Sequence, residues 1–181
     1  MKEGFVKSEA VVIKKSRYRE TSALIEIFSP VMGRHTLMAR GIYRKKKSFS
    51  SHLEPLSVNS IEFLYREGRQ IHTITRADLL FYPENIMKNL QAFDYAAKSL
   101  RILRRQEYPT ESIKQLFETL KDELKSLDNN ESCHEAYLQF LASYLYLEGQ
   151  LSGMYVSERE GNMGTLREIK RLERILRENE A

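Results

Sequence analysis

Hydrophobic and polar positions follow two different periods along the chain, and the change falls near Pro83. Before it the pattern is short and strand-like. Glu9–Lys14 (EAVVIK) and Ser22–Ser29 (SALIEIFS) are rich in β-branched residues, and the second sets Leu24, Glu26 and Phe28 against Ile25 and Ile27. Gly33 opens a third segment that runs through Arg40, and Gly41 closes it. Leu56–Tyr65 and Gln70–Leu79 follow, joined by Arg66-Glu67-Gly68-Arg69, which suits a hairpin turn. Five closely spaced strands in residues 1–82 are closed most economically as a small Greek-key barrel of the OB type, because closure removes exposed edges. An SH3-like barrel or a small open sheet would satisfy the same pattern.

After Pro83 the period becomes that of a helix. Glu84–Arg105 places Ile86, Leu90, Phe93, Ala97, Leu100 and Leu103 on roughly one face. Tyr108-Pro109-Thr110 interrupts it and offers Thr110 as an N-cap for a helix carrying Ile113, Leu116, Phe117, Leu120, Leu124 and Leu127. Asn129-Asn130 ends that helix. Ser132 to Glu135 reads as a capping box for the next, with Ala136, Tyr137, Phe140, Leu141 and Tyr144 inward and Gly149 as its stop. Thr165 to Glu168 reads as a second capping box, opening a charged helix striped by Leu166, Ile169, Leu172 and Leu176. The fold class expected is α+β, with an N-terminal five-stranded OB-type barrel over 1–82 and a C-terminal helical bundle over 83–181.

Charge adds what periodicity lacks. The 181 residues carry 29 Lys/Arg and 25 Asp/Glu, a modest net charge of +4. Residues 1–50 alone hold 12 Lys/Arg against 4 Asp/Glu, a net of +8, and the rest of the chain nets −4. Separation of this kind directs the first part of the chain toward a polyanion. No run of residues approaches the roughly 18 apolar positions of a membrane span, and the start has no signal-peptide core. The single cysteine, Cys133, excludes an intramolecular disulfide and a multi-cysteine zinc site. A soluble protein of a reducing cytoplasm is the expectation.

Little in the sequence suggests catalysis. His35, His52, His72 and His134 share no metal-ligand spacing, and no phosphate-cradling glycine loop or nucleophile motif occurs. Cys133 and His134 are adjacent on a predicted helix, where successive side chains point about 100° apart and cannot act as a nucleophile pair. No enzyme activity, metal or cofactor is expected. The basic clusters carry more information. Arg44-Lys45-Lys46-Lys47 cannot be buried and suits a loop that binds phosphates without reading sequence. Lys14, Lys15, Arg17, Tyr18 and Arg19 span the expected connection between the first two strands, and Arg66 and Arg69 sit in the turn between the fourth and fifth. In an OB barrel those two connections and the face of strands 2 and 3, with Arg34 and Arg40, line the ligand groove. Tyr18 and Tyr43, interleaved with cations, are candidate stacking platforms for bases. In the helical part Lys98, Arg101, Arg104 and Arg105 crowd a helix end, where they could dock an acidic peptide or simply answer the helix dipole.

Several of these segments also carry a family pattern. Glu9-Ala10-Val11-Val12-Ile13-Lys14, then Tyr18-Arg19-Glu20-Thr21-Ser22, then Leu24–Ser29, resembles the opening of the RecO family of DNA repair proteins. Gly33-Arg34-His35-Thr36, Ala39 through Ser48, Pro55-Leu56 and Leu79–Tyr82 continue the resemblance in order, and Phe140–Gly149 resembles that family's Phe-Leu-rich helix ending in glycine. The resemblance implies an OB domain that binds single- and double-stranded DNA and a recombination mediator that anneals complementary strands. It further implies action with RecR to load RecA onto strands coated by single-stranded DNA-binding protein, whose C-terminal tail would be the acidic peptide. A bacterial, nucleoid-associated location follows from the same resemblance. Many members carry a four-cysteine zinc module in the helical part; with Cys133 alone this sequence resembles a compact member without it. An OB-fold RNA-binding factor and a protein-interaction scaffold without DNA activity are the rival readings.

Overall fold

The computed structural model describes residues 4–44, 53–104, 108–129, 131–151 and 162–178. Five strands, β1 (Gly4–Tyr18), β2 (Ser22–Ser29), β3 (Gly33–Ala39), β4 (Val58–Tyr65) and β5 (Ile71–Phe81), close into a barrel in the order β1-β2-β3-β5-β4. Every pairing is antiparallel except the short β3–β5 contact, where Thr36, Leu37 and Met38 lie opposite Ile71, His72 and Thr73. This is the OB arrangement expected from the alternation of the sequence.

The device that closes the barrel is β1. Its first half pairs with β4 and its second with β2, and Val11 has a partner on each side, Val58 and Phe28. A register shift between Val12 and Lys14 bends the strand there. The strand therefore extends well beyond the expected Glu9–Lys14, and Lys14, Lys15, Arg17 and Tyr18 belong to it rather than to a loop. Cations on the outer side of a curled strand are compatible with pairing, and a reading that treats charge as loop misses that. Inside, Ala10, Val12, Ile25, Ile27, Leu37, Ile61, Phe63 and Ile74 form the main barrel core, none above 2% exposed.

The chain divides into two compact units, residues 1–82 with 103–117 and residues 83–102 with 118–181. The helices are α1 (Leu90–Leu103), α2 (Thr110–Asp128), α3 (Cys133–Leu147) and α4 (Asn162–Glu178), with a short 3-10 turn at Ile86–Lys88. The expected first helix is thus broken. Asn89 is extended at φ −114° and ψ 108°, and its Oδ1 accepts from the Gln91 and Ala92 N–H groups, which starts α1 afresh. The new phase buries Ala92, Tyr95, Ala96 and Ser99 and leaves Leu90 85% and Phe93 42% exposed, contrary to the expected stripe, whose Ile86, Leu100 and Leu103 are buried as expected.

Ser132 caps α3 as expected, its Oγ accepting from the Glu135 N–H. Gly149, at φ +71°, ends it: its N–H reaches the Tyr146 carbonyl and the Gln150 N–H the Leu145 carbonyl, the paired bonds of a Schellman stop. The start expected for α4 moves, because the helix begins at Asn162 and Thr165 is buried inside it. Among the described residues no helix is long and apolar enough to cross a membrane.

Candidate nucleic-acid interface

Where β1 ends, the chain must reverse within Arg19-Glu20-Thr21 to enter β2. Arg19 does so at φ +55°, a left-handed conformation that costs a non-glycine residue about 1–3 kcal/mol. The turn folds the Arg19 guanidinium over the Tyr18 ring at 5.3 Å from its centroid. On the far side of β2, Gly41 reverses the chain after β3 at φ +68°, and a Cβ there would stand 3.3 Å from Arg44 Cδ. Glycine thus lets Arg44 fold back close to the backbone, and the Arg44 N–H closes the turn onto the Gly41 carbonyl at 3.0 Å. The two turns are stitched by the Tyr43 N–H, which donates to the Thr21 carbonyl at 3.1 Å.

Between them lies an open groove of about 710 Å³ lined by Tyr18, Arg19, Thr21, Ser22, Met38, Arg40, Gly41 and Arg44. Three guanidiniums and two aliphatic hydroxyls face it, and no carboxylate is among its lining residues. Arginine presents a fork of donors matched to phosphate oxygens, and the hydroxyls add neutral donors. Beside the groove Tyr43 is 44% exposed, with Lys15 Nζ 5.6 Å and the Arg17 guanidinium 5.5 Å from its ring centroid. The two tyrosines singled out from the sequence are therefore each dressed by a cation.

The other expected contacts are distributed differently. Lys14 is exposed on β1 and lies opposite Glu26 in the ladder. Lys15 forms an ion pair with Glu54 and keeps only 14% of its side chain exposed. Arg34 pairs with Glu26 at 3.5 Å, and Glu26 also takes Arg104 Nε on both oxygens at 3.2 Å. Arg66 and Arg69 are exposed in the β4–β5 turn. Because β5 starts opposite Thr36, that turn sits beside the Arg34–His35 end of β3, six residues and so about 20 Å along the strand from Arg40. The three basic clusters do not meet in one place: the first and the 40–44 segment share the groove, and the hairpin stands apart. Lys45, Lys46 and Lys47 lie outside the described residues, as does Arg105.

The face of β2 and β3, expected to line the groove, is partly covered. Three described residues pack over it: Arg104 on Glu26, Tyr108 edge-on to Phe28 at 5.9 Å, and Ile113 with its Cδ1 3.2 Å from where a Gly33 Cβ would be. The groove occupies the Ser22–Arg40 end. Arg104 is accordingly withdrawn from the cluster expected to dock a peptide. So is Lys98, which lies over the rings of Tyr95 and Tyr137 at 5.0 and 5.8 Å and pairs with Asp94 and Glu173. Arg101 remains exposed.

One constellation was not visible in the sequence. The parallel β3–β5 contact stacks His35 on His72 at 6.3 Å, with Tyr65 4.7 Å from His72 on its other flank. Burial lowers both imidazole pKa values below 6.5; the neighbouring histidine and Arg69 lower that of His72 further. His72 Nδ1 accepts the Arg66 N–H at 3.3 Å, which requires the neutral ring.

A closed five-stranded barrel whose open end carries an arginine-lined groove defines a member of the OB class. A family model described as Recombination protein O N terminal matches residues 1–82. The barrel, somewhat under half of the chain, is thus similar to the N-terminal part of the RecO family. It is 26% identical over 143 residues to the DNA repair protein RecO of Geobacter metallireducens, covering 79% of this chain and 58% of that one. It is 27% identical over 123 residues to the RecO of Geobacter sulfurreducens, covering 68% and 50%. To that of Salinibacter ruber it is 31% identical over 72 residues, covering 40% and 28%. Across these matches the chain spans about half or less of the relatives' length.

Proposed function

We propose that this chain acts in DNA repair and recombination by binding the phosphate backbone of DNA in the groove between the β1–β2 and post-β3 turns. The observation that carries the reading is the lining of that groove: Arg19, Arg40 and Arg44 with no acid among its lining residues, while Lys15, Arg34 and Arg104 are paired with Glu54 and Glu26. The relatives are DNA repair proteins by name, which agrees with it.

The mechanism requires no bond chemistry. Each phosphate neutralised releases a condensed counterion, so binding is driven by charge and falls with salt. Backbone contacts leave base edges free, and Tyr18 and Tyr43 add stacking that every base can satisfy. A protein that screens two strands lowers their mutual repulsion and promotes annealing. In the fuller form of the proposal the chain handles single and double strands alike. With RecR it assists loading of RecA onto strands coated by single-stranded DNA-binding protein.

Fluorescence anisotropy across a salt series tests the reading, with wild type beside Arg19→Gln/Arg40→Gln/Arg44→Gln. If all three arginines contact phosphates, the duplex salt slope drops by up to ~2.7 units, worth roughly 40-fold in affinity between 50 and 200 mM salt. Weakened binding at an unchanged slope would remove the groove from the interface. An RNA of the same sequence bound more tightly than DNA would favour the RNA-binding reading, since only RNA offers the 2′-hydroxyl.

A further inference from the structure

Helix α4 gathers five cations on one face, with Glu178 among them at its C-terminal end. At 100° per residue, Arg167, Lys170, Arg171, Arg174 and Arg177 fall within an arc of about 120°, and all five are exposed. Thr165, Ile169, Leu172 and Leu176 occupy the opposite side and are buried. An open groove of about 840 Å³ follows the cationic face, its lining completed by Glu173 and Glu178. Glu173 is turned toward its own bundle, accepting from the Tyr137 hydroxyl at 3.2 Å and lying 3.7 Å from Lys98. Arg171 is paired with Glu168 at 2.8 Å and Arg177 Nε donates to the Glu173 carbonyl. Arg167, Lys170 and Arg174 have no ion pair among the described residues.

The helix dipole does not account for this stripe, because its field falls off within the last turn, where Arg177 alone of the five stands. Nor does a peptide ligand. An interface with protein is anchored by buried apolar or aromatic groups, and among the described residues α4 exposes no large hydrophobic side chain. What the face offers is charge at regular spacing over ten residues, about 15 Å, matching roughly four phosphates along one strand of a duplex. We propose that this face of α4 is a second binding surface for a nucleic-acid phosphate backbone, carried by the helical unit and separate from the barrel groove. Two such surfaces on one chain hold two strands, or two stretches of one strand, at high effective concentration.

The test uses the full chain in four forms: wild type, the groove variant described above, Arg167→Gln/Lys170→Gln/Arg174→Gln, and the two sets combined. Glutamine keeps helix propensity close to that of arginine and lysine, and far-UV circular dichroism checks that α4 persists. Duplex binding by the α4 variant loses up to ~2.7 units of salt slope. Energy transfer between two differently labelled, non-complementary single strands, present in wild type, falls several-fold. Arg167→Lys/Lys170→Arg/Arg174→Lys, which preserves charge, restores both. An unchanged slope together with unchanged energy transfer overturns the proposal, even when the groove variant has lost its own share. A groove variant of normal slope beside an impaired α4 variant upholds this surface and overturns the barrel reading. If polyaspartate of equal charge displaces DNA from the groove variant as well as an unlabelled duplex does, the surface is a peptide site and the assignment to phosphate fails.

Discussion

Glu123 is a carboxyl group folded into the interior of the helical unit, 4% exposed, and the pH dependence of stability should report its state. Its Oε1 accepts from Ser99 Oγ at 2.7 Å, and its Oε2 is buried with no hydrogen-bond partner. Burial raises its pKa well above the ordinary 4.5, and the Ser99 hydroxyl opposes that shift without cancelling it. The folded protein therefore holds a proton that the unfolded chain releases near pH 4.5. Stability contributed by the neutral carboxyl is complete below that pH and is lost as pH rises toward the folded pKa. The slope between the two values is about 1.4 kcal/mol per pH unit for one proton.

Glu123→Gln removes the titration and keeps nearly the same shape, with an amide oxygen still able to accept from Ser99. Urea unfolding of both proteins between pH 5 and pH 8 isolates the term as a difference. Near pH 5 the two should lie within about 1 kcal/mol, the range of one neutral hydrogen bond. The variant should then gain on wild type by about 1.4 kcal/mol for each pH unit until the wild-type carboxyl ionises. A difference that stays flat from pH 5 to pH 8 would refute the reasoning, because it would mean that Glu123 has the same protonation in both states.

The barrel should show the opposite sign at acid pH. His35 and His72 are held neutral with lowered pKa values, so their contribution is intact above pH 6.5 and is lost as pH falls through the folded values; His72→Asn should flatten that acid limb in denaturant melts, and an unaltered limb would remove His72 from it. Gly33→Ala should destabilise the barrel by about 2 kcal/mol or more in thermal melts, since φ is +64° and the new Cβ meets Ile113 at 3.2 Å, whereas Gly68→Ala, at φ +74° with open space, should cost only the left-handed strain of about 1–2 kcal/mol. Equal losses would show that Ile113 yields freely over the barrel. Glu26→Gln should free Arg34 and Arg104 and tighten single-stranded DNA binding at low salt by a few-fold, as read by anisotropy; weaker binding would mean that the ion pairs shape the interface instead of subtracting from it.

The barrel was legible because its signal is local. Alternation in Ser22–Ser29 needs only the residues themselves, and β2 occupies that same span. The cap at Ser132 and the stop at Gly149 were legible for the same reason, each being a side-chain or backbone preference of one position. Asn89 is a fair miss of the opposite kind. Its side chain starts α1, yet it stands inside a run of apolar residues at good helical spacing, and a periodic stripe outvotes one cap until the phase break is seen. The His35–His72 stack was beyond reach: 37 residues separate the two, and only the parallel β3–β5 register joins them.

The same distinction governs the site. Composition located the cations but not the acids that answer them, because Glu26 and Glu54 reach Arg34, Arg104 and Lys15 through the folded barrel and not through sequence proximity. Subtracting the answered charges changes the reading more than adding any new one. On the β2–β3 face Arg19, Arg40 and Arg44 converge at the open end and have no ion pair among the described residues, while Arg104, Tyr108 and Ile113 cover the other end. A segment that covers part of a binding face also fixes its direction: a strand entering the groove meets Tyr18 and Ser22 on one side and Gly41 and Arg44 on the other, and runs out against the covered end. Binding by such a face should then be limited to a few nucleotides in the barrel, and any longer footprint must be supplied by cations elsewhere on the chain.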